Sequence, residues 1–104
     1  MRHLLLASLL AGGAIASFQV RAQGADPNAA RNLTAACANC HGTNGRSTDA
    51  MPALAGLPKE YLVKQMKDFQ SGARPATIMH QISKGYTDAQ IEAMAAYFAA
   101  QKPK

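Results

Sequence analysis

The sequence predicts a small all-α protein of four or five short helices. Two stretches carry apolar residues at helical spacing, no stretch makes a convincing β-strand, and capping, proline and glycine signals fall where short helices should start and stop. The elements follow in order, after an N-terminal segment that belongs to none of them.

"MRHLLLASLLAGGAIA" opens with Arg2 and runs apolar from Leu4 to Ala16, interrupted only by Ser8 and a glycine pair. It is too short to remain as a membrane span, and its apolar residues fill every face rather than one stripe, which argues against a cytosolic amphipathic helix. It reads as a secretory signal. Val20 and Ala22 place small residues at −3 and −1, so residues 1–22 form the expected leader, with Ala16 as the competing cleavage point. The expected location is the periplasm, with no stable membrane insertion.

Removing 22 of the 104 residues leaves 82, expected to form a single domain over 23–104. At that size a hydrophobic core supplies only about 3 to 5 kcal/mol, so a covalent or metal staple is expected. Without Arg2 and Arg21 the chain has 9 Lys and Arg against 6 Asp and Glu, a net +3. These basic residues are scattered singly, which is no nucleic-acid signature.

Asp26 and Pro27 read as an N-cap followed by proline at the first helical position, opening a helix through "NAARNLTAACANC". Gly42 to Gly56 is rich in Gly, Asn, Ser, Asp and Pro and reads as an irregular loop. Pro58 opens a second helix in which Leu62, Met66 and Phe69 share a face and Gly72 stands at the C-terminal cap. "ATIMHQISKG" is expected to form two or three turns ending at Gly85. "TDAQ" is a capping box at Thr87 and Gln90, ahead of a last helix with Ile91, Met94, Ala95 and Phe98 on one face.

The staple is sought in "CANCHGTNG", which holds both cysteines of the chain, Cys37 and Cys40, with His41 next. A disulfide between residues three apart would close a loop too small to stabilise much. A thioredoxin-type pair belongs at a strand-to-helix junction, and no strand is evident. Structural zinc needs four ligands, but beyond these three the mature chain offers only His80. C-x-x-C-H as a c-type haem attachment site remains. Two cysteines on one helical turn each meet one haem vinyl group as a thioether, and the adjacent His41 imidazole is presented to the iron from the same side.

For the sixth iron position the mature chain has four of the five methionines, Met1 lying in the leader. Met66 and Met94 lie on apolar stripes and read as core packing. Met51, ten residues past His41, reads as haem-edge packing. Met79 follows a Gly and Pro break, 38 residues past His41, and is the preferred ligand. His80 is its competitor; the two point about 100° apart on a helix, so only one can face the iron. His80 is otherwise read as a surface histidine. A ligating histidine donates its second N–H to an acceptor, for which the Pro52 carbonyl is the candidate.

Together, "CANCHGTNG", "MPALAG", "YLVKQMKDFQSGAR" and "TIMHQISKGYTDAQIEAMAAYF" resemble the small class I c-type cytochromes over nearly the whole mature chain. The resemblance implies one covalent haem c packed by short helices, attached through Cys37 and Cys40. It further implies that His41 and Met79 ligate the iron and that Pro52 supports His41. The segment from Ala76 to Phe98 is similar to the cytochrome subunits of flavocytochrome c sulfide dehydrogenases. That implies a non-catalytic electron acceptor whose partner is a sulfide-oxidising flavoprotein subunit. Many such subunits carry two haem domains, and this chain holds one CxxCH. The same fold also serves freely diffusible carriers, for which Lys59, Lys64 and Lys67 would offer a charged docking patch, or else a merely solvated helix face.

Overall fold

Where each helix begins decides how the rest of the chain can pack. The computed structural model describes residues 26–104; the expected leader at 1–22 lies outside the described residues. These contain five α-helices and no strand: α1 Ala29–Thr34, α2 Ala38–His41, α3 Lys59–Ser71, α4 Met79–Ile82 and α5 Asp88–Ala99.

The first helix departs from expectation at its start. Asp26 Oδ1 accepts from the Asn28 N–H at 2.9 Å and the Asp26 carbonyl accepts from the Ala29 N–H at 3.0 Å. Aspartate thus closes a turn on its own backbone, a familiar competitor of the helix. Regular structure begins only at Ala29. Nor is it one continuous helix. Thr34 Oγ1 donates back to the Arg31 carbonyl at 2.9 Å, and the next residues, Ala35–Cys37, tighten into a single 3₁₀ turn before α2.

α3 runs as its pattern demands. Pro58 precedes it, and Gly72 follows at φ 80°, ψ 4°, a left-handed cap that glycine adopts without steric penalty. α4 is shorter than expected, one turn followed by a 3₁₀ turn at Ser83–Gly85. Ile78, the N-cap residue, lies at φ −138° and ψ −27°, outside the helical region, and the β-branched pair Thr77 and Ile78 after Pro75 delays the helix to Met79. At α5 both halves of the capping box form: Gln90 N–H donates to Thr87 Oγ1 at 3.2 Å, and Thr87 N–H to Gln90 Oε1 at 2.9 Å.

α5 packs against α1 and α3, and α4 against α3. α3 and α5 meet in a small cluster of Leu62, Ala95 and Phe98, bordered by Cys37, Leu54, Leu57, Val63 and Tyr97. Gln70 Nε2 donates to the Ser83 carbonyl at 2.8 Å and the Tyr86 carbonyl at 3.1 Å, tying α3 to the turn after α4. Only six apolar residues are buried among those described: Ala55, Leu62, Ile91, Met94, Ala95 and Phe98. Most other inward-facing apolar side chains border an internal cavity instead. No described helix is long and apolar enough to cross a membrane.

Two stability predictions follow from local geometry. Thr87→Ala removes the N-cap acceptor and should cost about 1 kcal/mol, read as a lower urea midpoint at unchanged m-value. Gly45 sits at φ 75°, and a Cβ there would stand 2.8 Å from Phe98 Cδ1 and 3.0 Å from the Ala55 nitrogen. Gly45→Ala should therefore cost more, roughly 1 to 3 kcal/mol from strain and overpacking together.

Candidate functional site

The cavity encloses about 330 Å³ and its walls are almost wholly apolar. Each wall comes from a different element. α2 and the turn before it bring Cys37, Cys40 and His41; the loop brings Met51, Pro52 and Leu54; α3 brings Leu62, Met66 and Phe69; α4 brings Met79; α5 brings Ile91, Met94 and Phe98. Cavities of roughly 300 to 1,000 Å³ with apolar walls and a few directed polar groups are the usual form of cofactor sites.

His41 is the best-defined polar group in that wall. It is only 8% exposed, and its Nδ1 lies 2.7 Å from the Pro52 carbonyl oxygen. A carbonyl can only accept, so the Nδ1 proton lies between them. Nε2 is then the unprotonated nitrogen, carrying the lone pair a metal ligand needs. The loop is shaped for this contact: the Leu54 and Ala55 N–H groups both donate to the Gly45 carbonyl, at 2.8 and 3.1 Å, which folds Pro52 back over His41.

Both thiols are free, Cys37 half-buried and Cys40 exposed. Burial pushes the Cys37 thiol above its ordinary pKa, outweighing a backbone hydrogen bond that lowers it. Among the described residues no three His, Cys, Asp or Glu side chains gather to hold one metal ion, so a protein-only zinc site finds no support.

Met79 and His80 part company. Met79 lines the cavity and His80 does not. His80 is nevertheless not the surface histidine expected: it is half-buried, and its Nδ1 is enclosed without a hydrogen-bond partner among the described residues. Met51, read as haem-edge packing, also lines the cavity, and so do Met66 and Met94, which the sequence pattern reads as core. Sequence reasoning missed the polar rim. Tyr61, Gln65 and Arg74 border the cavity, and the Arg74 guanidinium lies over the Phe69 ring, 5.1 Å from its centroid. Tyr61 and Gln65 are four residues apart on α3, a spacing that could have flagged them.

The three lysines of α3 are not free charges. Lys59 pairs with Glu92 at 2.7 Å, Lys64 with Asp68, and Lys67 with Asp88. Two of these pairs bridge α3 to α5.

The residues present fit a covalent haem: two free thiols three apart, a buried imidazole with an oriented ring, and an apolar enclosure lined by four methionines, Met79 among them. Comparison with known proteins points the same way. Residues 28–102 match the family model described as cytochrome c. The chain is 41% identical over 66 residues to the cytochrome subunit of sulfide dehydrogenase of Chlorobaculum tepidum, covering 64% of this chain and 60% of that protein. It is 38% identical over 78 residues to cytochrome c4 of Pseudomonas aeruginosa, covering 74% of this chain and 39% of that protein. In structure it resembles reduced recombinant cytochrome c4 from Pseudomonas stutzeri, with a TM-score of 0.69 at 32% identity over 76% of this chain and 47% of the other. The chain thus spans 60% or less of the length of these relatives. Matched along most of its described length, and with Cys37 and Cys40 at the spacing of a single haem c attachment site, this chain belongs to the cytochrome c family of electron-transfer proteins and binds one haem c covalently.

Proposed function

We propose that the chain is an exported monohaem cytochrome that accepts single electrons from a sulfide-oxidising flavoprotein subunit in the periplasm. Residues 1–22 would be removed as a secretory signal, leaving 23–104 as one monohaem domain. Cys37 and Cys40 form the thioethers, His41 and Met79 are the axial ligands, and Pro52 holds His41. The observation that carries the ligand assignment is that His41 and Met79 line one apolar cavity from different elements while His80 stays outside it. Haem c, when bound, supplies a one-electron exchange between ferric and ferrous iron.

The residues of the chain do the rest. The Pro52 carbonyl keeps the Nδ1 proton of His41 and thereby presents Nε2 to the cavity. Apolar walls from α3 and α5 exclude water and disfavour the higher charge on the oxidised centre, and a thioether ligand works in the same direction, toward a high potential. Were His41 and Met79 both to hold the iron, no substrate would need to reach it, which suits a carrier rather than a catalyst.

The flavoprotein partner is supported by the similarity to the Chlorobaculum tepidum cytochrome subunit. The alternative is a freely diffusible carrier between respiratory partners, supported by the likeness to cytochromes c4. Charge distribution favours the first reading. A carrier steered by charge profits from unpaired lysines, whereas Lys59, Lys64 and Lys67 are each matched to a carboxylate.

Met79→Ala should lower the potential by a sizeable part of the roughly 0.8 V range that axial ligation spans, and should let added imidazole or cyanide bind. His80→Ala should do neither. Redox titration and ligand-induced absorbance changes check both, and an unaltered potential in Met79→Ala removes it from the iron. Cys37→Ala or Cys40→Ala should keep a single thioether, seen by mass spectrometry, with a much reduced yield of holoprotein; full yield would contradict attachment at these residues. The partner is tested by size-fractionating the host periplasm. Co-elution with a flavoprotein that reduces the haem on addition of sulfide supports the subunit reading, and elution alone as a small monomer supports the free carrier.

A further inference from the structure

The loop that carries Pro52 is fastened to the far end of the chain. Tyr97, on the last turn of α5, donates its hydroxyl proton to Asn44 Oδ1 at 2.6 Å across 53 residues. Asn44 is the single described non-glycine residue at positive φ, φ 55° and ψ 26°, so the side chain that Tyr97 grips belongs to the most strained backbone position of the turn. Its neighbour Gly45 supplies the carbonyl that accepts from both Leu54 and Ala55. Two residues before Leu54 stands Pro52, whose carbonyl takes the His41 Nδ1 proton.

The far flank of the loop is tied to the same helix end, where the Gly56 N–H donates to the Phe98 carbonyl at 2.9 Å; on the near flank Arg46 Nε also donates, to the Lys102 carbonyl at 2.8 Å. Tyr97 also stacks edge-on against Phe98, 5.6 Å between centroids, which fixes the direction of its hydroxyl. The loop is thus pinned at both ends to the C-terminal end of the molecule, and Pro52 lies between the pins.

We infer that Tyr97, acting through Asn44, is a positioning residue for His41: it sets the His41–Pro52 hydrogen bond and so tunes the basicity of the imidazole. This rests on the assignment of His41 as an axial ligand in the proposed function. A hydrogen bond from Nδ1 to a good acceptor makes the imidazole a stronger electron donor. A stronger donor favours the ferric state. Loosening the loop lengthens the bond, weakens the donor and raises the reduction potential.

The test compares holoprotein carrying Tyr97→Phe, Asn44→Gly and both substitutions. Tyr97→Phe keeps the ring and its packing on Phe98 but loses the donor. Asn44→Gly loses the acceptor at a position where glycine accepts the backbone conformation freely. Each single variant should raise the potential, and should speed amide exchange at Leu54 and Ala55 severalfold to about tenfold, the scale of one lost hydrogen bond. The double variant should match the singles, because both remove the same interaction. A potential unchanged from wild type in both single variants, with or without lost thermal stability, overturns the inference and leaves Tyr97 a packing residue. His41→Ala separates this from the reading beneath it. If it shifts the potential while Tyr97→Phe does not, only the positioning role has failed; if neither shifts it, the assignment of His41 has failed with it.

Discussion

Everything in this molecule depends on an interior the chain cannot fill by itself. Six buried apolar residues form a core far thinner than the described length would need, and the remaining apolar side chains stand around a cavity. Ordering each residue costs about 1 to 2 kcal/mol in backbone entropy, so a chain of this size has no reserve with which to keep an empty centre open. Haem c supplies the missing volume, and its covalent attachment makes that volume part of the chain. α3 and α5, of 13 and 12 residues, are the longest described helices, and α5 packs against both α1 and α3.

Within that constraint the site is built by direction rather than by number of polar groups. His41 is held by one carbonyl, Pro52, and that carbonyl is held by a loop whose own backbone hydrogen bonds converge on Gly45. The geometry passes from a left-handed turn to a proline to an imidazole over a few residues. Met79 is treated differently: it is the first residue of a one-turn helix, delayed by Thr77 and Ile78, and it lines the cavity from there.

Much of this was legible from residue pattern. The attachment motif, the two amphipathic faces, the Gly72 cap and the Thr87 box are local signals, encoded within a few residues, and they appear where the pattern places them. The departures have local physical causes as well. Asp26 bonds its own backbone instead of capping, Thr34 bends the first helix, and β-branching shortens α4. What pattern could not reveal is pairing across distance. Nothing in the period of either segment announces that Tyr97 will meet Asn44, or that Lys59 and Lys67 will find Glu92 and Asp88. The enclosed Nδ1 of His80 was equally invisible, because burial of a lone histidine depends on the turn packed beside it.

The two lysine–carboxylate bridges between α3 and α5 join helix packing to the outward face of the protein. Exposed pairs of this kind contribute little to stability. Replacing Glu92 or Asp88 with a neutral residue would therefore release a lysine at small cost to the fold and leave the haem enclosure untouched. A single substitution on α5 could convert an electrostatically quiet face on α3 into a cationic one. The choice of redox partner can in this way drift during evolution independently of the metal centre, by editing carboxylates on a helix that the partner need never touch.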